Sequence, residues 1–198
     1  MSNSKQRNEA KPAPDTEDEL LHYRSWHLAG SAHEVRLTEL EYGILRLREA
    51  FEHWALQGMR AVLNVELSFE ETCILHPLRM QARPTGVSTI ARLLNRDDVS
   101  NLQYCLRKLV SIGLVAVSRR KGVKGVSYTL TKAGIRATDD YAKLKRELLI
   151  RQTEDIAGLQ GKVEAITRTV TMLTGLYEEC ARIAATYSPP PVPDKSGR

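Results

Sequence analysis

Residues 88–134 read STIARLLNRDDVSNLQYCLRKLVSIGLVAVSRRKGVKGVSYTLTKAG, and this stretch decides the fold. It opens with a short helical pattern that ends at the polar break Asn95-Arg96-Asp97. A second helix is predicted from Asp98, which can cap it, to Ile112, and Gly113 is expected to end it. Two short helices joined by a turn of about three or four residues form a helix-turn-helix.

Apolar side chains in both helices recur every three to four residues, which is typical of a helix with one buried face. The first helix follows a turn predicted at Pro84-Thr85-Gly86, and Ser88 is its expected cap. Its apolar face comprises Ile90, Leu93 and Leu94. The predicted core residues of the second helix are Val99, Leu102, Leu106 and Leu109.

The remainder of the stretch predicts a β-hairpin. Residues 114–118 are rich in β-branched side chains, and residues 126–130 alternate between apolar and polar. Residues 119–125, between them, include four cations and two glycines, so the hairpin should have a cationic tip. A helix-turn-helix followed by such a hairpin is a winged helix. The fold class is therefore mainly α, with a small β-hairpin wing.

The distribution of charge indicates a polyanion-binding module. Residues 72–146 carry 15 basic and 4 acidic side chains. Residues 1–71 carry 8 basic and 13 acidic side chains, and residues 147–198 carry 6 basic and 7 acidic ones. A basic segment between acidic flanks is the electrostatic pattern expected of a nucleic-acid-binding domain, although a solvated basic surface would give the same counts.

Two helices are predicted before the winged helix. Thr38 and Glu41 have the spacing of a capping box and predict a helix that runs to about residue 64. Ser68 and Glu71 form a second capping box and predict a shorter helix, which Pro77 should kink or end.

The stretch 132–187 is predicted to be helical, and residues 156–187 carry a heptad seam. Apolar positions alternate in steps of three and four residues at Ile156, Leu159, Val163, Ile166, Val170, Leu173, Tyr177, Cys180, Ala184 and Tyr187. The helix predicted from Thr38 has a similar stripe at Leu40, Ile44, Leu47, Phe51, Trp54 and Val62. A seam of this length needs a partner, either that first helix or a second copy of the chain.

The length of 198 residues suits one domain with dimerisation helices and tails. Residues 1–20 are polar and predicted to be disordered, and residues 188–198 form a Pro-rich tail. Between them we place the winged-helix domain with its first dimerisation helix at 37–155, and the C-terminal dimerisation helix at 156–187. No apolar leader and no run of about 20 apolar residues occurs, so a cytoplasmic location without membrane association is expected.

The segment 88–134 resembles the winged-helix DNA-binding domain of MarR-type transcription regulators. The matching features are the helix pair, the transition from Leu109 to Gly113-Leu114-Val115 and the exit Leu130-Thr131-Lys132-Ala133-Gly134. The opening helix is similar to the first helix of a bacterial subgroup described as predicted regulators. The resemblance covers about residues 37–155.

The resemblance implies a homodimer in which the N- and C-terminal helices interlock and two winged helices bind a pseudo-palindromic operator. It further implies a sequence-specific regulator, with repression as the expected mode. Typical members carry a D-x-R motif at the wing, whereas this wing has no acidic residue, so Lys121 and Lys124 are expected to take the part of that arginine.

The polar face of the second helix should contact DNA. Asparagine and glutamine pair with adenine and arginine with guanine, and the N-terminal end of a recognition helix usually reaches the bases. Base contacts are therefore expected from Ser100, Asn101, Gln103 and Tyr104, and phosphate contacts from Arg107 and Lys108. The DNA-contacting set is completed by Ser88 and by the wing residues Arg119, Arg120, Lys121 and Lys124.

The resemblance also implies a pocket for small aromatic acids between the dimerisation helices and the winged helix. Phe51, Trp54 and His76 are the candidate residues, although aromatic residues at helical spacing more often belong to a core. His22, His27 and His33 lack metal-ligand spacing, so no metal is expected. Cys105 on the recognition helix could act as a redox switch, but a buried cysteine is the commoner outcome.

No glycine-rich phosphate loop, nucleophile elbow or paired-carboxylate motif is present, so neither enzymatic activity nor a cofactor is expected. The alternative to a sequence-specific regulator is a scaffold in which a winged helix and a coiled coil coat nucleic acid or bridge proteins without choosing an operator. The amide side chains of Asn101 and Gln103 favour the regulator.

Overall fold

The computed structural model describes Leu28, residues 30–118 and residues 125–187. Three predicted features lie outside these residues: the tail 1–20, the wing tip 119–124 and the tail 188–198. None of the helices in the described ranges combines the length and the apolar composition that a membrane crossing requires.

Helix α1 spans Ala32–Val62 and begins before the predicted capping box. Ser31 is its N-cap, and the Ser31 hydroxyl accepts a hydrogen bond of 3.3 Å from the backbone N–H of Glu34. The predicted start at Thr38 is therefore wrong, because a cap is available earlier in the chain. Thr38 instead lies inside the helix and is buried.

Helix α2 spans Phe69–Gln81 and begins at the predicted capping box. Ser68 Oγ accepts a bond of 3.2 Å from the Glu71 N–H, and Glu71 Oε2 accepts one of 2.9 Å from the Ser68 N–H. Pro77 does not end the helix, which continues to Gln81. The apolar neighbours of Pro77 hold this turn in place because they are buried on the helix face toward the core: Ile74, Leu75 and Leu78.

The segment predicted as a turn contains strand β1, Thr85–Gly86. The turn prediction is wrong because Thr85 and Gly86 pair antiparallel with the wing residues Tyr128 and Ser127. Helix α3, Val87–Leu93, follows directly; its N-cap is Gly86 and not Ser88, and no side chain caps it.

Helix α4, Val99–Ser111, is the predicted second helix of the helix-turn-helix. Its N-cap is Asp98, as predicted, whose Oδ1 accepts a bond of 3.0 Å from the Asn101 N–H. The predicted core residues Ile90, Leu102, Leu106 and Leu109 are buried. The core prediction is wrong for Leu93 and Val99, the last residue of α3 and the first of α4, which are 45% and 43% exposed.

Gly113 ends α4 in a Schellman motif, as predicted. Its φ is +78°, a left-handed conformation that costs an L-residue with a Cβ about 1–2 kcal/mol. The Leu114 N–H donates to the Leu109 carbonyl and the Gly113 N–H to the Val110 carbonyl, each at 3.0 Å. This cap turns the chain from α4 into the wing.

The wing consists of β2, Val115–Ser118, and β3, Ser127–Leu130. The strand order is β1-β3-β2 and both pairings are antiparallel, with Val115 opposite Leu130. The predicted hairpin is thus confirmed, and β1 adds a third strand to it. One apolar cluster joins the sheet to α2, α3 and α4, including Ile74, Ile90, Leu106, Val115, Tyr128 and Leu130.

The stretch 132–187 is mostly helical, as predicted, but it consists of several segments. Helix α5, Lys132–Lys145, leads through a π-helical segment, Arg146–Ile150, into the short α6, Arg151–Glu154. A break follows because Gly158 adopts φ +71°, and helix α7 then spans Leu159–Ala184. Ile156 and Tyr187 consequently lie outside α7. The first compact unit of the chain ends at Tyr141 and the second begins at Ala142.

Candidate nucleic-acid interface

Helix α4 divides into a buried face and an exposed polar face. Leu102, Cys105, Leu106 and Leu109 are buried in the core. Ser100, Gln103, Tyr104 and Arg107 are exposed on the other side of the helix. The side chains expected to read bases therefore lie on the surface, and Ser88 is also exposed, on α3.

Asn101 is half-buried beside the exposed face, and its side chain has a partner. Its Oδ1 atom accepts a weak hydrogen bond from the Cys105 thiol, with 3.8 Å between sulfur and oxygen. An adenine needs both the oxygen and the nitrogen of an asparagine amide. This bond occupies one of the two lone pairs of Oδ1, so the Asn101 amide can still offer both atoms to an adenine, and Gln103 has no such contact among the described residues.

Lys108 is engaged by a buried carboxylate. Its Nζ atom lies 2.9 Å from Oε2 of Glu71, the oxygen that also accepts the Ser68 N–H. Glu71 is almost fully buried at the start of α2, and this contact raises the pKa of Lys108 above its usual value. The arrangement gives Lys108 a role in joining α4 to α2 and leaves Arg107 as the exposed cation of this helix.

A polar contact joins the two wing strands at their ends nearest to the tip. The Ser127 hydroxyl donates a hydrogen bond of 2.9 Å to the Ser118 carbonyl, between the facing ends of β3 and β2. The predicted contact residues Arg119, Arg120, Lys121 and Lys124 lie beyond these two serines, outside the described part of the chain.

Two of the three cysteines have environments that disfavour the thiolate. Burial, and next the carboxylate of Glu71, raises the pKa of Cys105 above 9.0. Burial together with Glu70 raises the pKa of Cys73 to about 11. Since the thiolate is the species that oxidises readily, Cys105 has the properties of a core residue.

The aromatic residues considered for a ligand site separate into two groups. Trp54 and His76 both lie against the ring of Tyr141, with centroid distances of 6.2 and 4.9 Å. Phe51 instead makes an edge contact with Phe69, at 5.9 Å. The Trp54 indole nitrogen is buried and has no hydrogen-bond acceptor among the described residues. Burial also raises the pKa of Tyr141.

Sequence reasoning missed Tyr141 and the partner of Lys108. Tyr141 follows Ala137 and Thr138 at helical spacing, and all three are buried, so closer attention to that stripe could have identified it. Glu71 was recognised only as part of a capping box; no local pattern relates it to Lys108, which is 37 residues away in sequence. In the described ranges no group of three or more potential metal-ligating side chains is found, and His22 and His27 lie outside those ranges.

Comparison with known proteins agrees with this geometry. A family model for the winged helix DNA-binding domain matches residues 67–134, which include α2, the helix-turn-helix and the wing. No curated protein sequence matches the chain significantly.

Several solved structures have a similar fold. A MarR family transcription regulator aligns with a TM-score of 0.60 at 13% identity, over 74% of this chain and 93% of that one. A mutant MarR from E. coli complexed with operator DNA aligns with a TM-score of 0.57 at 18% identity, over 68% and 95%. The M. tuberculosis transcriptional regulator MosR in complex with DNA aligns with a TM-score of 0.55 at 17% identity, over 70% of this chain and 96% of that one. The predicted fold class is confirmed.

Proposed function

We propose that this chain, which has the winged-helix fold of MarR-type transcription regulators, is a sequence-specific regulator that binds a pseudo-palindromic operator as a homodimer. The exposed polar face of α4 carries the proposal. Gln103 and Arg107 present the amide and guanidinium groups that read base edges and bind phosphate, on a helix whose other face is anchored in the core. Two of the similar structures hold DNA.

The exposed apolar residues of α1 and α7 support the homodimer. In α7 no residue is buried, although its seam includes Val163, Ile166 and Val170. In α1 the exposed apolar residues include Leu40, Leu47 and Phe51. Contiguous apolar surface of this kind marks an interaction site, and a second copy of the chain offers the same helices in return. The two winged helices of the dimer would then bind the two halves of an inverted repeat.

Repression is the proposed mode of action, because a dimer that occupies an operator excludes other proteins from the same DNA. The site of action would be the cytoplasm. A reporter gene placed behind the selected operator tests this: its expression should fall when the chain is present, and a rise would indicate an activator.

A small aromatic acid is the proposed effector, and the cluster of Trp54, His76 and Tyr141 is its proposed site. The buried indole N–H of Trp54 lies beside Tyr141 and makes no well-formed hydrogen bond among the described residues, so a carboxylate could serve as its acceptor. Thermal-shift measurements with aromatic acids test this, together with fluorescence of the Trp26→Phe variant, in which Trp54 is the remaining tryptophan. An unchanged melting temperature and unchanged fluorescence with every acid would contradict it.

Selection from a random duplex library, combined with the solution mass of the protein, separates the regulator from the scaffold. The regulator predicts a dimer mass and an enriched inverted repeat whose half-sites lie about one helical turn apart. Salt-dependent binding without an enriched motif would instead favour the scaffold, and a monomer mass would contradict the homodimer.

A further inference from the structure

An open cleft of about 590 Å³ lies beside the ends of the wing strands that are nearest to the tip. It is lined by Gln81 and Arg83 at the end of α2 and in the loop that follows, by Thr89 of α3, and by Ser118 and Ser127 of the wing strands. The sequence assigned no function to Gln81, Arg83 or Thr89. The cleft is therefore a surface of the winged helix that the recognition residues do not account for.

Arg83 gives the cleft its charge. The side chain is exposed, and none of the ion pairs among the described residues involves it. Its Nη2 atom donates a weak bond of 3.4 Å to Gln81 Oε1, and its backbone carbonyl accepts a bond of 2.9 Å from the buried Thr85 hydroxyl of β1. The backbone of Arg83 is thus anchored while most guanidinium N–H groups remain available.

The lining favours a phosphate oxygen as the bound group. None of the described residues that line the cleft carries a carboxylate. The Arg83 guanidinium, the Gln81 amide and the Thr89 hydroxyl can all donate hydrogen bonds, and the planar fork of arginine suits phosphate geometry.

The position of the cleft favours the DNA backbone as the source of that phosphate. When a recognition helix enters the major groove, the elements beside it meet the sugar-phosphate backbone. In this chain those elements are α3 and the wing, which both contribute to the cleft. Resting on the proposed DNA-binding function, we infer that Arg83, with Gln81 and Thr89, binds a DNA phosphate next to the groove that α4 enters.

The test is a titration of the full-length protein with its selected duplex and with an unrelated duplex, at several salt concentrations. For Arg83→Gln, binding to both duplexes should weaken by about tenfold or more, because a charge-assisted contact is lost in each copy. The slope of log K against log salt should become shallower by about 1.8, which is about 0.9 for each of two phosphates. Arg83→Lys should keep the slope and recover part of the affinity.

Arg168→Gln is the matched control, because Arg168 is an exposed arginine on α7, outside the winged helix, and its loss should leave both affinity and slope unchanged. If the wild type binds DNA but Arg83→Gln shows the same slope of log K against log salt as the wild type, the inference is overturned and the proposed function stays intact. A variant that weakens the selected duplex alone would also overturn it, since a base contact would then be indicated. Absence of salt-dependent duplex binding by the wild type would instead overturn the proposed function itself.

Discussion

The ammonium group of Lys108 on α4 lies 2.9 Å from Oε2 of Glu71, at the buried start of α2. The same oxygen accepts the N–H of Ser68, so one carboxylate caps α2 and joins it to α4. The sequence predicts a phosphate contact for Lys108 because it shares a polar face with Arg107. The structure gives these two cations different environments: Lys108 forms an ion pair, whereas Arg107 takes part in none of the ion pairs among the described residues.

Replacement of these two cations should therefore have different effects. Lys108→Met should lower the melting temperature, because it leaves the buried Glu71 carboxylate unpaired, and should leave the salt dependence of DNA binding unchanged. Arg107→Met should leave the melting temperature unchanged and make the slope of log K against log salt shallower by about 1.8 for two copies. Thermal melts and salt titrations check both variants. If Lys108→Met made the slope of log K against log salt shallower, Lys108 would contact a phosphate after all.

The same pair predicts how stability depends on pH. The hydrogen bond from Lys108 to Glu71 raises the pKa of Lys108 above its ordinary 10.5. A group whose pKa is raised on folding contributes stability below its unfolded pKa and loses it as the pH rises through the folded pKa. The difference in melting temperature between wild type and Lys108→Met should thus be constant between about pH 7 and about pH 9, and should shrink above pH 10.5. A difference that already shrinks near pH 8 would contradict the assignment.

Gln103 should read one base. Gln103→Ala is expected to cost about 1–3 kcal/mol in operator binding and to relax the preference at a single position in each half-site. Measurement requires a panel of operators that each carry one substitution. Gln160→Ala, on exposed α7, serves as the control and should change nothing. If Gln103→Ala weakened every duplex equally, the contact would be to the backbone.

Gly134 should tolerate no larger residue, because a Cβ there would lie 2.2 Å from the backbone oxygen of Leu114. Gly134→Ala must push α5 away from the wing and should destabilise the domain by about 1–3 kcal/mol. Gly161→Ala is the matched control: in α7 an added Cβ would meet no described atom within 4 Å apart from the adjacent backbone of its own helix, and alanine should stabilise the helix by about 0.5–1 kcal/mol. Denaturant unfolding measures both, and a neutral Gly134→Ala would show that the two elements are not in close contact.

Cys105 should not act as a redox switch. It is buried in α4, and burial raises the pKa of its thiol, so little thiolate exists at neutral pH. Mild peroxide should leave operator binding unchanged in the wild type and equally in Cys105→Ala. Loss of binding in the wild type that Cys105→Ala abolishes would show that the thiol is reactive after all.

The seam of α7 should control dimer formation. Ile166 is exposed in the single chain, so Ile166→Glu should leave the fold and its circular dichroism unchanged. If α7 packs against a second copy, the buried glutamate should dissociate the dimer and halve the solution mass. Arg168→Glu introduces the same residue outside the seam and should preserve the dimer. A dimer that survives Ile166→Glu would place the interface elsewhere.

Local signals accounted for much of the winged helix. The Ser68–Glu71 box, the Asp98 cap and Gly113 each act within a few residues, and the structure confirms all three. Predictions failed where a contact distant in sequence, or an earlier local signal, decided the outcome. The segment at Thr85 forms a strand because Tyr128 is available to pair with it, and Thr38 is not a helix start because Ser31 offers an earlier cap.

Sequence alone determined the helix-turn-helix and the hairpin of the winged helix. The alternation of apolar and polar side chains and the capping residues specify the local backbone geometry, because that geometry depends on neighbours within about one helical turn. Tertiary structure decided which polar side chains remain available. Lys108 is held by Glu71 of α2, and Arg83 faces an open cleft lined by α3 and the wing, because these elements meet only when the chain folds.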